Sequence, residues 1–240
     1  MKGIEMQKLD CEIASMDYGF VCIPKSCLHR TVGQTLMGGK VFEQNTIDRI
    51  LEHRGDGIVV HAGAFVGDML PAISGVEKRV YAFEPGRDFF RSARITMELN
   101  FDDDDHATIL INKGLSDKAT LDAPLLSGET EELSEAGASR IMRSADGVEP
   151  YRLEYVELTT IDSVVPMGEV SVIHLDVEGF EEEALMGGIQ NIRASKPVLI
   201  LEIGRDERRI STPFYTDIIF GELGYHQVGE SFHGNRLYTA

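Results

Sequence analysis

The sequence predicts an α/β fold, in which short parallel strands alternate with helices packed on both faces of one sheet. Three observations predict it. From Gly57 onward, short apolar runs alternate with segments of helical periodicity. A glycine turn or an acid follows several of the strand runs, at the sheet ends where such folds hold ligands. The length, 240 residues, suits one α/β domain with a short appendage.

The elements follow in order. Met1 to Asp10 mixes Lys, Glu and Asp and has no signal-peptide apolar stretch. Cys11, Cys22 and Cys27 are an odd, sparse set, which argues against a disulfide framework. Cys22, Cys27 and His29 lack the paired spacing of a zinc site, so the cysteines read as reduced structural thiols. Gly33 to Val41 approaches a phosphate-binding loop, but Gly39 intervenes before Lys40, and Val41 stands where Ser or Thr is needed. Val41 to Arg54 places Phe42, Ile47, Ile50 and Leu51 at helical spacing, one amphipathic helix leading into the sheet. Residues 1–56 are thus expected to form a leading segment that helps build a substrate pocket. Residues 57–240 form the main domain.

Within that domain, Ile58 to His61 reads as a strand, Asp68 to Ser74 as a helix and Arg79 to Phe83 as a strand. Asp88 to Asn100 is helical and Thr108 to Asn112 a third strand. Val170 to Asp176 is a fourth strand, Phe180 to about Ile192 a helix and Pro197 to Ile203 a fifth strand. Thr120 to Val165 breaks this rhythm. It is polar, carries Gly128, Gly137 and Gly147, and reads as a functional insertion such as a lid or substrate wall. Asp102 to Asp105 read as a solvated loop. Gly224 to Ala240, with turn signals at Gly229 and Gly234–Asn235, reads as an antiparallel hairpin closing the sheet edge.

Composition limits the function. Hydrophobic residues make up 42%, which excludes global disorder. No apolar run approaches the roughly 20 residues of a membrane helix. Forty acidic residues against 23 Lys and Arg, a net charge of −17, argue against a nucleic-acid backbone as partner. A cytoplasmic location is expected.

The first strand runs into His61-Ala62-Gly63-Ala64-Phe65-Val66-Gly67-Asp68. A glycine turn between strand and helix lets a ligand approach the backbone. The dinucleotide fingerprint fails at Phe65, which would crowd a pyrophosphate, and at Asp68, which sets a carboxylate where phosphates sit. A ligand with positive charge and no phosphate suits the loop better. S-adenosylmethionine has a sulfonium, an ammonium and a nucleoside, and the Gly63-x-x-x-Gly67 spacing fits its amino-acid end. The second strand ends in Phe83-Glu84-Pro85. An acid there, about 20 residues past the glycine loop, is placed to hold a ribose diol. Pro85 biases Glu84 toward extended backbone. The plain alternative for Glu84 is a helix cap or a surface acid.

If the fourth strand persists, its period of two puts His174, Asp176 and Glu178 on one side. Asp176 could hold the ligand's ammonium or polarise a substrate hydroxyl, and Glu178 or His174 could act as general base. Capping of the next helix, with Glu181, Glu182 and Glu183 in its first turn, competes with that reading. Glu202, ending strand five, is near enough to join them. A divalent cation on Asp176, Glu178 and Glu202 suits the residue types but is not the favoured reading. His61 reads as a base, a substrate contact or a hydrogen-bonded residue fixing the loop. Nothing in the spacing demands that His233 reach the cleft.

Together these pieces resemble the FkbM-like family of S-adenosylmethionine-dependent methyltransferases. The matching motifs are GAFVG at Gly63 to Gly67, VYAFEPGRDFF at Val80 to Phe90 and KGLSD at Lys113 to Asp117. GASRI at Gly137 to Ile141, LTTIDSVV at Leu158 to Val165, IHLDVEGFEEEALMGG at Ile173 to Gly188 and PVLILEI at Pro197 to Ile203 complete them. The resemblance spans roughly Gly57 to Gly204, and LDVEGFE is its most specific block. It implies a class I methyltransferase fold: a Rossmann-like three-layer sandwich on a mostly parallel seven-stranded sheet with an antiparallel last strand. It implies methyl transfer, often to a hydroxyl of a sugar, polyketide or other natural product. The expected cofactor-binding residues are His61, Gly63, Phe65, Gly67, Asp68, Glu84, Pro85, Ser116 and Asp176. The family usually has an acid where His61 stands, an asparagine where Phe65 stands and a lysine where His174 stands. An acid at the first of these positions often contacts the methionine ammonium, and Asp68 is the substitute this sequence offers.

The expected function is methyl transfer to a hydroxyl of a small-molecule acceptor, with Asp176, Glu178 and His174 removing its proton. A nicotinamide-dependent oxidoreductase is disfavoured by Phe65 and Asp68. A non-catalytic or N-methylating member of the same fold is the other alternative, motivated by His61 and Phe65.

Overall fold

The computed structural model describes residues 9–76, 79–102, 105–126, 139–204 and 206–240. In chain order, β1 (Cys11–Met16) and β2 (Gly19–Pro24) form an antiparallel hairpin, followed by α1 (Thr31–Met37) and α2 (Gln44–His53). Then come β3 (Ile58–Ala62), α3 (Leu70–Ile73), β4 (Arg79–Phe83), α4 (Arg87–Asn100) and β5 (Ala107–Ile111). After β6 (Gly114–Leu115), the insertion supplies β7 (Thr120–Leu126), β8 (Arg140–Ile141) and β9 (Leu153–Thr159). After α5 (Ile161–Val164) follow β10 (Val170–Leu175), α6 (Glu181–Met186), α7 (Ile189–Ser195) and β11 (Val198–Glu202). The chain ends with α8 (Phe214–Glu222), whose turns are π-helical, and the hairpin β12 (His226–Phe232) and β13 (Asn235–Thr239).

The central sheet has seven strands in the order β12-β13-β11-β10-β3-β4-β5. The pairs linking β11, β10, β3, β4 and β5 are parallel, and β13 runs antiparallel to both of its neighbours. This is the class I methyltransferase arrangement that the resemblance implied. Every residue of β3 is buried, as is all of β10 except Ser171, because helices cover both faces of a parallel sheet. One face packs Ile58, Val60, Leu175 and Leu201 against α5, α6, α7 and α8. The other packs Val59, Val80, Val172 and Ile200 against Ile47 and Ile50 of α2, and against α3 and α4.

Strand boundaries fall within one residue of the sequence expectation, because each apolar run ends at a polar or glycine turn. The helices differ more. The helix expected over Val41–Arg54 begins at Gln44, after Glu43. The helix expected over Asp68–Ser74 is a single turn. The helix expected from Phe180 breaks into α6 and α7 at Gly187–Gly188. There a Cβ on Gly187 would lie 2.0 Å from the Ser116 carbonyl oxygen, so the junction is pressed directly against backbone.

Residues 9–56 contain more regular structure than their sequence suggests. The β1–β2 hairpin is held on α4 by side chains at helical spacing. Thr96 Oγ1 accepts from the Cys22 N–H at 3.0 Å, the Ser92 hydroxyl donates to the Cys22 carbonyl, and Asn100 Oδ1 accepts from the Phe20 N–H at 2.8 Å. The thiols of Cys11 and Cys22 are free and 2.7 Å apart, and burial pushes the Cys22 thiol up to about 12. The insertion strands β7, β8 and β9 join β6, which precedes them, in a separate four-stranded sheet of order β6-β9-β7-β8. Gly128, Gly137, Asp103 and Asp104, which the sequence reading singled out, lie outside the described residues. Among the described residues, no helix is long and apolar enough to cross a membrane.

The Gly187 contact gives a direct test. Gly187→Ala forces backbone apart and is expected to cost about 3 kcal/mol, a drop in Tm of roughly 6–12 °C. Gly55→Ala, at φ +49° with nothing within 4 Å of its Cβ, carries only backbone strain of about 1 kcal/mol. Thermal unfolding of both variants checks the difference, and equal drops would contradict the close contact.

Candidate functional site

A cleft of about 340 Å³ opens at the carboxyl ends of β3, β10 and β11. A slot of about 40 Å³ adjoins it, lined in part by Phe83, Pro85, Leu115, Ile141 and Val177. The two share Gly63, Glu84, Ser139 and Asp176.

The loop after β3 is fixed by its neighbours. Gly63 has φ +86°, and a Cβ there would lie 1.9 Å from the Asp176 carbonyl oxygen. Only glycine lets β3 and β10 converge at this point. The Gly63 and Ala64 N–H groups donate to the Phe83 carbonyl, and Asp176 N–H donates to the Ala62 carbonyl. Phe65 adopts φ +49°, a left-handed conformation that asparagine tolerates better than phenylalanine. Its ring packs on Phe89, with centroids 4.7 Å apart, and joins the core of the N-terminal hairpin. Gly67, at φ +77°, makes the next turn and packs against Ala93 of α4.

Glu84 braces the loop from the end of β4. Its Oε2 accepts from the Phe65 N–H at 2.8 Å, and its Oε1 accepts from the Gly86 N–H at 2.8 Å. Burial pushes its carboxyl up to about 8, with Glu154 adding and the two N–H groups opposing. Each oxygen keeps a further lone pair for a ligand hydroxyl. Asp68, also on the cleft wall, is pushed up to about 7 by burial, with Glu43 adding.

Asp176, Glu178 and Glu202 converge at the ends of β10 and β11, each offering an oxygen within 4.8 Å of the others. Asp176 hydrogen-bonds to Glu202, and its carboxyl is raised well above the usual range by burial and by that neighbour. Glu178 is raised too, by burial first and then by Glu202. The strand stops at Leu175, so Glu178 reaches the cluster through a left-handed turn at φ +53° rather than through strand alternation. Buried Glu181 holds that turn. Its Oε1 accepts from the Val177 and Gly179 N–H groups, and its other oxygen pairs with Arg209.

The expected residues separate into two groups. His61, Gly63, Phe65, Asp68, Glu84, Asp176 and Glu178 line the cleft, and Pro85 lines the slot. Gly67, Ser116 and His174 line neither. Gly67 is taken up by helix packing. Ser116 is buried, donating its N–H to the Thr159 carbonyl and its hydroxyl to Asp117. His174 is fully buried beneath His61, with the two Nδ1 atoms 2.8 Å apart, so it is not a base facing an acceptor. Burial holds His61 down to about 4 and His174 well below the usual range. The sequence reading missed Glu43, Phe42, Phe89 and Ser139 on the cleft wall. Glu43 carries no sequence signal beyond that of an acid before an amphipathic helix.

The family model of the methyltransferase FkbM domain matches residues 58–226. No curated protein matches the chain. Among solved structures, the methyltransferase FkbM of Methylobacillus flagellatus KT is 17% identical, over 77% of this chain and 44% of that one, with a TM-score of 0.49. This chain therefore spans less than half of that protein's length. A rRNA-methylase, assigned as such only provisionally, from Clostridium thermocellum is 11% identical over 81% and 91% of the two chains, with a TM-score of 0.45. A SAM-dependent methyltransferase from Aquifex aeolicus is 13% identical over 90% and 92%, with a TM-score of 0.36.

The raised carboxyls predict a pH dependence. Asp68 and Glu84 bind protons more tightly folded than unfolded. Their contribution to stability is fully present below about pH 4. It is lost as pH rises through about 7 and about 8. The buried histidines act in the opposite sense, but only below about pH 6.5. From about pH 6.5 to about pH 9 the ligand-free protein should therefore lose thermal stability, and Asp68→Asn should flatten the lower part of the fall. A Tm that rises over this range would contradict the burial of these acids.

Proposed function

The chain belongs to the FkbM methyltransferase family, and we propose that it transfers a methyl group from S-adenosylmethionine to a hydroxyl of a small molecule. One observation carries the reading. The cleft wall holds six carboxylates, Glu43, Asp68, Glu84, Asp176, Glu178 and Glu202, and among the described lining residues there is no Lys or Arg. Such a wall favours a cationic ligand and opposes phosphates, which fits a cofactor bearing a sulfonium and an ammonium and not a pyrophosphate dinucleotide.

The chain's own residues divide the work. Glu84 offers its free lone pairs to the ribose hydroxyls. The slot beside Pro85, Leu115 and Ile141 offers apolar walls to the base. Gly63 exposes backbone, and Asp68 and Asp176 offer carboxylates, to the amino-acid end. When bound, the cofactor supplies an activated methyl group, and in-line transfer needs an acceptor oxygen roughly 3 Å away. The hydroxyl proton passes to the Asp176, Glu178 and Glu202 cluster. Burial raises the proton affinity of Asp176 and Glu178, making them stronger bases than exposed carboxylates. A divalent cation on Asp176, Glu178 and Glu202 is not the favoured reading, and no metal is assigned a part in the transfer. The acidic wall and the net charge of −17 point to a small, uncharged or cationic acceptor rather than to nucleic acid.

Titration calorimetry with S-adenosylhomocysteine tests the cofactor. Micromolar binding is expected, weakened roughly 10- to 100-fold in Glu84→Ala by loss of charged hydrogen bonds, with no binding of NADH. Affinity should rise as pH increases through about 7 to about 8, where Asp68 and Glu84 ionise. With an acceptor in hand, Asp176→Asn should lower kcat by about 100-fold or more, and EDTA should leave kcat unchanged. Tight NADH binding, or full turnover in Asp176→Asn, would overturn the assignment.

A further inference from the structure

Beneath the cleft, on the face of the sheet that packs against α2, a run of buried polar side chains begins and ends on the cleft wall. His61 and Glu43 both line the cleft. Between them, His174, Asn235 and Thr46 are fully buried. The strands bring them together. His61 and His174 are register partners on β3 and β10, and Asn235 opens β13.

The hydrogen-bond polarity of this run can be read from its carboxylate end. Glu43 Oε2 accepts from the Thr46 hydroxyl at 2.7 Å and from Asn235 Nδ2 at 3.2 Å. With its amide nitrogen committed there, Asn235 presents Oδ1 on the other side, and an amide oxygen can only accept. Asn235 Oδ1 and His174 Nε2 are both buried and neither has a hydrogen-bond partner of ordinary geometry, while the Asn235 side chain is close enough to raise the proton affinity of His174. An N–H on His174 Nε2 directed at Oδ1 is the arrangement that satisfies both buried atoms at once. A neutral imidazole has one N–H, so His174 Nδ1 bears a lone pair. The 2.8 Å contact between the two Nδ1 atoms then needs its hydrogen on His61. Two adjacent buried imidazoliums would repel one another without solvent, so both rings stay neutral.

We infer that His174 and Asn235 are positioning residues that lock His61 in the tautomer protonated at Nδ1, leaving its Nε2 lone pair to accept a hydrogen bond from the ammonium of the bound cofactor. The ligand in this statement rests on the methyltransferase reading, whereas the tautomer rests on the hydrogen-bond chain alone. An acid at position 61 would accept the same bond but would add a further charge to a wall that already holds Glu43, Asp68 and Asp176. A fixed neutral acceptor avoids that repulsion. It also gives His174 and Asn235 a purpose that neither packing nor a base facing the acceptor supplies.

The test is two-bond 15N–1H correlation NMR on full-length, ligand-free protein labelled at histidine nitrogen. His61→Asn identifies the His61 signals, and the ring-to-ring contact with His174 identifies them independently if that variant does not fold. The expected spectrum shows His61 neutral with its proton on Nδ1 and His174 neutral with its proton on Nε2. In Asn235→Ala the His61 tautomer should become mixed, and S-adenosylhomocysteine affinity should fall about tenfold. Thr46→Val, a milder change, should move both readouts in the same direction. A purely structural role would lower Tm without altering the tautomer. His61 protonated on Nε2, or charged, in the wild-type protein overturns the inference even if S-adenosylhomocysteine binds. The expected tautomers in a protein that fails to bind it would uphold the relay and sink the cofactor reading.

Discussion

The close approach of the Gly63 backbone to the Asp176 carbonyl is the constraint on which the site depends. Two central parallel strands end side by side, and a side chain at position 63 would hold them apart. With glycine there, Asp176 N–H reaches the Ala62 carbonyl, and the loop after β3 folds back onto the end of β4. Glu84 then bridges that loop to the start of α4, with one carboxylate oxygen on each side. The glycine turn, the strand-end acids and the bracing glutamate are therefore one assembly. A change at any of them disturbs the position of the others.

The second organising feature is electrostatic. A folded protein rarely gathers six carboxylates on one wall without cations, because burial and mutual repulsion both oppose it. Here the charge is managed locally. Asp176 and Glu202 hydrogen-bond to each other, Glu84 and Glu181 are held by backbone N–H groups, and Arg209 pairs with Glu181 behind the wall rather than in it. The result is an acidic cleft in which burial and neighbouring acids raise the proton affinity of the carboxyls.

The N-terminal segment completes the cleft from outside the sheet. The β1–β2 hairpin is fastened to α4 by Ser92, Thr96 and Asn100. Its core takes in the rings of Phe65 and Phe89, which also line the cleft. The left-handed turn at Phe65 lets one residue serve both, since its N–H faces Glu84 while its ring faces the hairpin. Left-handed backbone at a bulky residue is costly and persists where the surroundings fix it. Phe65 and Glu178 are both such positions, and both line the cleft.

The sequence by itself determined the sheet. Each parallel strand is a short apolar run ended by a turn residue, the pattern of a strand buried on both faces of a helix-covered sheet. It also determined that Gly63, Glu84, Asp176, Glu178 and Glu202 gather at one end, because parallel strands deliver their carboxyl ends to the same edge. What it could not determine were the contacts set by side-chain direction and by distant backbone. His174 carried the alternation of a strand facing the cleft, yet the strand ends at Leu175, one residue before Asp176, and the ring stays in the core against His61. The break of α6 from α7 depends on the Ser116 carbonyl, about seventy residues away in the chain. The hairpin over residues 11–24 depends on the polar stripe of α4, and Glu43 reaches the cleft only because Asn235 and Thr46 hold it there. Local pattern fixes what each segment can become, whereas these contacts depend on which surfaces meet, and that is decided only when the chain has packed.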